Sequence, residues 1–162
     1  MDSKFAFFGL EPSLDLDEKA LEEQFRALSR KWHPDRFARG TPQERRQSLE
    51  QTTLLNDAYK TLRDPVRRAE HFLRLRGVTA EPKMAPDFLE ETLEDREKLM
   101  EAKMAGEPLD ALVKGAEEKR DAALAEARRL VESGDLAKAA ERLARMKYYA
   151  RYLDEAAGRV EM

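Results

Sequence analysis

The sequence predicts an all-α protein, and three observations support that fold class. Apolar residues recur every three or four positions along most of the chain, which is the spacing of one helical face. Glycine and proline are scarce, at seven each among 162 residues. Charged residues make up 39% of the chain, which is typical of long solvated helices and leaves little apolar surface to line a deep catalytic pocket. No segment shows the alternating pattern of a strand.

The first half predicts four helices. A short aromatic helix opens the chain, and a longer one, capped by Asp15 or Asp17, ends before Pro34 because the residue ahead of a proline is disfavoured in the α region. The third begins at the capping box of residues 41–44, and the fourth follows a break at residues 64–65. The apolar face of the second helix consists of Leu21, Phe25, Leu28 and Trp32.

The second half predicts a separate helical unit. Residues 78–86 hold two prolines and few core-forming side chains, which predicts a linker between residues 1–77 and residues 87–162. Turns at residues 106–108 and 133–135 divide the rest into three helices, and short connections of this kind favour an antiparallel bundle. The first bundle helix places Leu89, Leu93, Met100 and Met104 near one face.

The charge distribution differs between the two halves. Residues 1–77 carry 15 basic and 13 acidic side chains, whereas residues 78–162 carry 15 and 20, so the halves are suited to different partners. A nucleic-acid binder would more often show a strong basic excess, and the net charge here is −3. With no cysteine and two histidines, we expect no metal site and no cofactor.

The location of the protein is also suggested by patterns that the sequence lacks. No apolar run approaches the roughly 20 residues that a membrane-spanning helix needs. The N-terminal segment is too acidic for a signal peptide, and an arginine-rich transit segment is missing. We therefore expect a cytoplasmic protein that does not contact membranes.

The most informative motif is the tripeptide His33-Pro34-Asp35, on an exposed turn between the second and third helices. Because Pro34 fixes the backbone, His33 and Asp35 project in defined directions. No nucleophile or second carboxylate accompanies His33, so a general base is not indicated. An ordinary surface histidine is the simplest alternative. The basic residues nearby, which also fit a plain solvated face, are Arg26, Arg30, Lys31 and Arg36.

This motif and its surroundings resemble the J-domain, the module that triggers ATP hydrolysis in DnaK- and HscA-type chaperones. Trp32 precedes the tripeptide and Phe25-Arg26 lies one helical stretch earlier, as in that family. Residues 56–59, Asn-Asp-Ala-Tyr, and residues 62–65, Leu-Arg-Asp-Pro, match its third-helix pattern. The resemblance implies a chaperone-binding set of Phe25, Arg26, Arg30, Lys31, His33, Pro34, Asp35 and Arg36.

A second resemblance, to the HscB family of iron–sulfur cluster co-chaperones, spans nearly the whole chain. It is carried by residues 7–10, Phe-Phe-Gly-Leu, by residues 62–70, and by residues 88–97, with lower identity after residue 105. It implies an L-shaped protein whose bundle binds an IscU-type scaffold and delivers it to the ATPase chaperone. The implied client-binding residues are Leu89, Leu93, Glu94, Glu97 and Tyr148.

The chain departs from the HscB pattern at two positions. Glu90 stands where methionine is common, and Tyr148 where phenylalanine is usual. The cysteine metal site of some eukaryotic relatives is absent, which favours a bacterial, cytosolic version.

Other functions stay open at this point. The bundle could bind another client or a membrane surface, and Leu89 and Leu93 could belong to the bundle core. The basic helix could contact nucleic acid, although the net charge counts against it. An enzyme is the weakest reading, because no nucleophile–base set or phosphate loop is present.

Overall fold

The computed structural model describes residues 3–78 and 81–159, and these residues form seven α-helices, one 3-10 helix and no strand. The all-α prediction is confirmed. The chain divides into two compact units, Met1–Gly77 and Val78–Met162. The helices are α1 Lys4–Phe7, α2 Glu18–Trp32, a 3-10 helix Pro34–Phe37, α3 Pro42–Arg63, α4 Pro65–Leu75, α5 Pro86–Met104, α6 Asp110–Glu132 and α7 Leu136–Ala156.

The N-terminal unit is built on the antiparallel pair α2 and α3. The Phe25 ring stacks on Tyr59 with a centroid distance of 4.0 Å, and Trp32 at the end of α2 meets Ser48 near the start of α3. Helix α1, the first of the unit, and helix α4, the last, both pack against α3. The buried apolar side chains shared by these helices include Phe5, Leu21, Leu55, Leu62, Ala69 and Leu73.

Side-chain caps set the starts of these helices, and the sequence predicts the one at Thr41 and offers Asp15 or Asp17 for α2. The Asp17 carboxylate accepts from two backbone N–H groups at the start of α2, and Asp64 does the same for α4. The Thr41 hydroxyl accepts from the Glu44 N–H at 3.1 Å, which forms the predicted capping interaction of α3. Each cap satisfies donors that have no partner within the helix.

His71 ties α4 to α1 inside the N-terminal unit. Its Nε2 atom accepts from the backbone N–H of Lys4 at 3.0 Å, and its ring stacks on Phe5. Burial, together with the positive charges of Lys4 and Arg74, lowers the pKa of His71 below its ordinary value. The neutral imidazole is therefore the form that the fold stabilises.

The C-terminal unit is a three-helix bundle. Leu99 from α5, Ala116 from α6 and Tyr152 from α7 form a common buried cluster. Ion pairs join Lys119 to Glu91 at 2.7 Å and Arg142 to Glu126 at 2.6 Å. From Glu91 to Leu99 along α5 the contacts on α6 step back from Lys119 to Ala116. From Arg142 to Tyr152 along α7 they step back from Glu126 to Ala116, so α6 is antiparallel to both α5 and α7.

The side of α5 that packs into the bundle core is not the apolar stripe that the sequence analysis identified. The buried residues of α5 are Phe88, Leu99 and Ala102. The four residues of the apolar stripe are all exposed: Leu89, Leu93, Met100 and Met104. The alternative that placed Leu89 and Leu93 in the bundle core is therefore wrong. Helix α5 is apolar on two sides, and α6 and α7 cover only one of them.

The linker prediction falls partly outside the described residues, because residues 79 and 80 are not described. Residues 78 and 81–85 are not helical, and α5 begins at Pro86 rather than at residue 87. The proline occupies the first turn, where its missing N–H would have no helical partner.

Candidate functional site

The His33-Pro34-Asp35 motif lies where α2 ends and the 3-10 helix begins. The His33 Nδ1 atom accepts from the Asp35 N–H at 3.2 Å, so the imidazole caps the short helix. The Arg36 N–H donates to the His33 carbonyl at 3.0 Å, and the Arg36 side chain donates to the Arg30 carbonyl at 3.3 Å. The sequence predicted an exposed turn, and the structure gives that turn a hydrogen-bonded 3-10 geometry.

The motif presents its acidic side chain to solvent. The Asp35 side chain is 92% exposed, and its carboxylate lies 3.7 Å from the His33 Nδ1 atom. Within the described part of the chain, no set of three His, Asp or Glu side chains is placed to hold a metal ion. A free carboxylate on a fixed turn is suited to contact a basic group on another protein.

Two buried or half-buried hydroxyls fix the end of α2 that carries the motif. The Ser48 hydroxyl donates to the Trp32 carbonyl at 2.7 Å, and the Thr52 hydroxyl donates to the same oxygen at 3.2 Å. Ser48 is fully buried. The Trp32 ring also stacks on Phe37 with an interplanar angle of 13°. The two hydroxyls thus tie the end of α2 to α3, and the ring stack joins the residues on either side of the motif.

The basic residues near the motif lie on the surface. Arg26, Arg30, Lys31 and Arg36 are all exposed. Arg26 pairs with Glu22 at 2.6 Å, and the Lys31 ammonium lies 5.4 Å from the centre of the Trp32 ring. Phe25 differs from these residues because it is half-buried against Tyr59. Its ring supports the α2–α3 pair, with one face covered by Tyr59.

A second candidate surface lies on α5 and α7 of the C-terminal unit. Leu93 is 62% exposed, Leu89 is 39% exposed and Tyr148 is 41% exposed. Leu89, Leu93 and Glu97 follow one another at steps of four, so they form one row along α5. Glu94 is exposed in the neighbouring row, beside Glu90. The structure therefore brings Leu89, Leu93, Glu94 and Glu97 to one surface of apolar residues with an acidic edge.

Phe88 holds the position of Tyr148 beside α5. The buried Phe88 ring packs edge-on against Tyr148 at 5.4 Å and against Tyr149 at 5.9 Å. The Arg145 guanidinium lies over the Phe88 ring, 4.6 Å from its centre. Aromatic pairs of this geometry and cation–π contacts each contribute about 1 kcal/mol. Tyr148 is thus a surface residue with a well-packed support.

Several supporting residues were not identified from the sequence. Phe88 shares a helical row with Leu99, and that spacing could have marked it as a core residue. Thr52 lies beside the apolar face of α3 in the sequence pattern, but nothing in the sequence indicated that its hydroxyl, or that of Ser48, would hold the Trp32 carbonyl. Glu155 is 1% exposed although sequence patterns assign carboxylates to the surface.

Comparison with known proteins places both surfaces in a family context. A family model described as the DnaJ domain matches residues 5–71, and one described as the HSCB C-terminal oligomerisation domain matches residues 84–157. A co-chaperone protein HscB homolog from Burkholderia thailandensis is 37% identical over 167 residues, covering 99% of this chain and 95% of its own length. The chain belongs to the HscB family. An HscB homolog from Neisseria meningitidis is 39% identical over 125 residues, covering 75% of each chain.

A solved structure agrees with this family assignment. The chaperone HscB from Vibrio cholerae superposes with a TM-score of 0.89 at 32% identity, covering 97% of this chain and 96% of that one. The N-terminal unit therefore contains a J-domain, and this HscB-family chain has a co-chaperone role in iron–sulfur cluster assembly. No helix in the described ranges is long and apolar enough to cross a membrane.

Proposed function

We propose that this chain binds an IscU-type scaffold through α5 and Tyr148 and delivers it to a DnaK- or HscA-type chaperone. The His33-Pro34-Asp35 motif would stimulate ATP hydrolysis by that chaperone, and this chain would perform no covalent chemistry itself. The proposal assigns residues 1–77 to the J-domain, residues 78–86 to a linker and residues 87–162 to client binding. We also propose that scaffold binding and chaperone binding both take place in the cytoplasm, the expected setting of a bacterial family member.

The proposed contact with the chaperone rests on one observation: Asp35 is exposed on a turn whose backbone is held by hydrogen bonds. The basic side chains of α2 and the turn are available to dock on an acidic surface of the ATPase, with contacts that guide association over distance. Asp35 would then meet a basic group of the chaperone. The hydroxyls of Ser48 and Thr52 fix the Trp32 carbonyl at the end of α2, so the backbone that carries Asp35 is preorganised, which lowers the entropy lost on binding.

An ATPase assay with the charge-removing substitution Asp35→Asn tests this step. The side chain is 92% exposed, so the fold should be unaffected while stimulation falls by about tenfold or more, as expected when a binding charge loses its partner. Glu50→Gln, at an exposed position on α3, is the matched control and should retain stimulation. Full stimulation by the Asp35→Asn variant would refute the assigned role of the motif.

The client half of the proposal rests on Leu93, an exposed leucine beside acidic residues. Burying such a leucine contributes about 1.5–3 kcal/mol, and the acidic residues at the edge favour one orientation of the partner. Arg and Lys side chains on the scaffold would pair with these acidic residues. Glu90 reduces the apolar area of this surface, so the binding contribution falls mainly on Leu89, Leu93 and Tyr148.

Calorimetric titration with the IscU-type scaffold of the same genome tests client binding. We expect an affinity on the order of micromolar, lowered by about tenfold in Leu93→Ala. Leu49→Ala is a close control, because Leu49 is 61% exposed against 62% for Leu93 but lies on α3 of the other unit. Absence of scaffold binding, or equal losses in the two variants, would show that this surface serves a different client.

A further inference from the structure

The basic charge of the N-terminal unit is concentrated around the His33-Pro34-Asp35 motif. Residues 1–77 hold 15 basic and 13 acidic side chains, and six of the basic but only two of the acidic ones lie in residues 30–46. This segment therefore carries an excess of four positive charges, although the net charge of the chain is −3. The six basic residues are all exposed: Arg30, Lys31, Arg36, Arg39, Arg45 and Arg46.

These six side chains do not stabilise the fold through ion pairs. In the parts of the chain that the structure describes, none of the six pairs with a carboxylate, whereas Arg26 on α2 pairs with Glu22 at 2.6 Å. The two acidic residues of the segment have other contacts: Asp35 lies beside His33, and Glu44 forms part of the cap of α3. The positive charge around the motif is therefore available to a partner.

Arg45 and Arg46 lie where a positive charge does not favour a helix. Helix α3 begins at Pro42, so Arg45 is in its first turn and Arg46 follows directly. The start of a helix carries a partial positive charge, which repels a cation and favours an acidic residue such as Glu44. Neither helix stability nor an ion pair accounts for these two arginines, and a partner with acidic groups would relieve the repulsion.

Contacts with α2 place these two arginines beside the motif. The Ser48 hydroxyl donates to the Trp32 carbonyl at 2.7 Å, so Ser48 lies against the last residue of α2. Because the two helices are antiparallel, the residues of α3 before Ser48 extend beyond the end of α2. Arg45 and Arg46 precede Ser48 by about 3–4.5 Å along the helix axis, which is the level of the turn that carries Asp35.

Arg39 lies in the short connection between the turn and α3. Within that connection the Gly40 N–H donates to the Phe37 carbonyl at 2.9 Å. A Cβ atom at residue 40 would meet a Glu44 carboxylate oxygen at 2.9 Å, so the connection packs closely on the first turn of α3. The motif is therefore flanked by basic residues on both sides, which are Arg30 and Lys31 towards α2 and Arg39, Arg45 and Arg46 towards α3.

An exposed leucine accompanies the arginines of α3. Leu49 is 61% exposed and lies four residues after Arg45 and three after Arg46, so these side chains are neighbours on the helix. A protein partner suits this arrangement, because it can bury the leucine and pair with both charges. Nucleic acid suits it less, because the exposed Asp35 carboxylate at the same level would repel phosphate groups.

We propose that the start of α3 forms a second part of the chaperone-binding surface. Arg39, Arg45 and Arg46 pair with acidic side chains of the ATPase chaperone, and the J-domain resemblance implies none of these three residues. Leu49 packs on an apolar residue among those carboxylates. The complementary chaperone surface has one basic group for Asp35 with acidic groups on both sides of it. This inference rests on the proposed function, because it names further contacts with the same partner.

ATPase stimulation measured over a range of concentrations of this chain tests the two arginines of α3. Arg45→Ala combined with Arg46→Ala should raise the concentration for half-maximal stimulation about fivefold, as expected for two exposed charges. Maximal stimulation should stay unchanged, because the motif is intact. Lys60→Ala combined with Arg63→Ala removes the same charge from exposed positions near the other end of α3 and should leave the half-maximal concentration unchanged. No rise in the arginine variant, or an equal rise in the control, would overturn the inference.

Leu49→Ala tests the apolar contact separately. It should raise the half-maximal concentration about fivefold, as expected for partial burial of one leucine, while scaffold affinity stays unchanged. Leu54→Ala is the matched control, because Leu54 is 54% exposed on another side of the same helix. Equal effects of the two leucine substitutions on stimulation would contradict the contact at Leu49.

The same assays separate this inference from the proposed function. If Asp35→Asn impairs stimulation while the Arg45 and Arg46 variant behaves as the wild-type chain, the α3 contacts fail and the proposed function stands. If the wild-type chain gives no stimulation, both fail. If the arginine variant loses affinity for a short DNA duplex but keeps its half-maximal concentration, the basic residues bind nucleic acid and the inference is overturned. An unchanged circular dichroism spectrum shows that each variant is folded.

Discussion

The two candidate surfaces of this chain expose opposite kinds of chemistry. The turn at Asp35 presents a single exposed charge on a backbone that is held by hydrogen bonds. The α5 surface presents aliphatic area at Leu89 and Leu93, and no hydrogen bond directs those side chains. A charge-assisted hydrogen bond depends on position, because it weakens steeply with distance and angle. An apolar contact depends mostly on the area removed from water.

This difference explains why the supporting residues of the two surfaces are of different types. Below the turn they are Ser48 and Thr52, which fix one carbonyl oxygen. Below the α5 surface they are Phe88 and Leu99, which fill volume and keep the helix against its neighbours. Substitutions below the turn should therefore impair ATPase stimulation, whereas substitutions below the α5 surface should impair scaffold binding.

The largest expected effect comes from Leu99→Ala in the bundle core. Leu99 is fully buried beside Ala116 and Tyr152, so the substitution should cost about 2–5 kcal/mol in the free energy of unfolding. Urea unfolding measures that loss. Scaffold binding should weaken while ATPase stimulation persists, and Leu55→Ala in the N-terminal unit should reverse that order. Equal loss of both activities in both variants would show that the two surfaces are not independent.

Ser48→Ala should have an intermediate effect. It removes a buried hydrogen bond of 2.7 Å to the Trp32 carbonyl and should lower the free energy of unfolding by about 1 kcal/mol. Stimulation should fall with scaffold binding unchanged. Thr53→Ala is the control, because its hydroxyl donates to a carbonyl on the exposed side of the same helix. An unchanged ATPase response in Ser48→Ala would mean that the turn is positioned without this contact.

Mild acid should destabilise the N-terminal unit through His71. Burial lowers the pKa of His71 below the ordinary value of 6.5, so the unfolded chain binds more protons in acid. Stability from the neutral imidazole is complete above about pH 6.5 and is lost as the pH falls below that value. Thermal melts across this range measure the loss, and His71→Phe should flatten the pH dependence. An identical pH dependence in that variant would assign the effect to other groups.

The smallest expected effect is a difference in salt dependence between chaperone binding and scaffold binding. Exposed charges each contribute about 0.2–1 kcal/mol and are screened as the Debye length falls from about 10 Å at 0.1 M salt to 3 Å at 1 M. Chaperone binding through Arg30 and Lys31 should therefore weaken with salt more than scaffold binding through Leu89 and Leu93. Affinities measured at both salt concentrations test this, with Lys31→Ala expected to reduce the slope. A steeper salt dependence for the scaffold would reverse the comparison.

The sequence predicted most of the fold because its helix ends carry local signals. Thr41 caps α3 as expected, and of the two candidates for α2 it is Asp17 that forms the cap. Asp64 lies at the predicted break before α4, and α2 ends just before Pro34 as predicted. Each of these interactions joins atoms within one helical turn, so the residues involved are neighbours in the sequence. The motif at residues 33–35 is similarly local, and its family could be recognised from the residues around it.

The outward face of α5 could not be predicted in the same way. The helix carries two apolar stripes, and the sequence does not state which one α7 covers. The contact of Arg96 with Glu155 spans 59 residues, and no local pattern marks Glu155 as buried. Likewise, Ser48 becomes a support for the motif only because α2 and α3 pack in one register.

The amino-acid sequence alone thus determined the helices, their limits and the identity of the exposed motif, because capping and periodicity act over a few residues. The tertiary structure decided the remaining points: that Leu89 and Leu93 face solvent, that two hydroxyls hold the Trp32 carbonyl, and that Glu155 is buried. These depend on which helices cover one another. That choice is made by the summed burial of residues far apart in the chain.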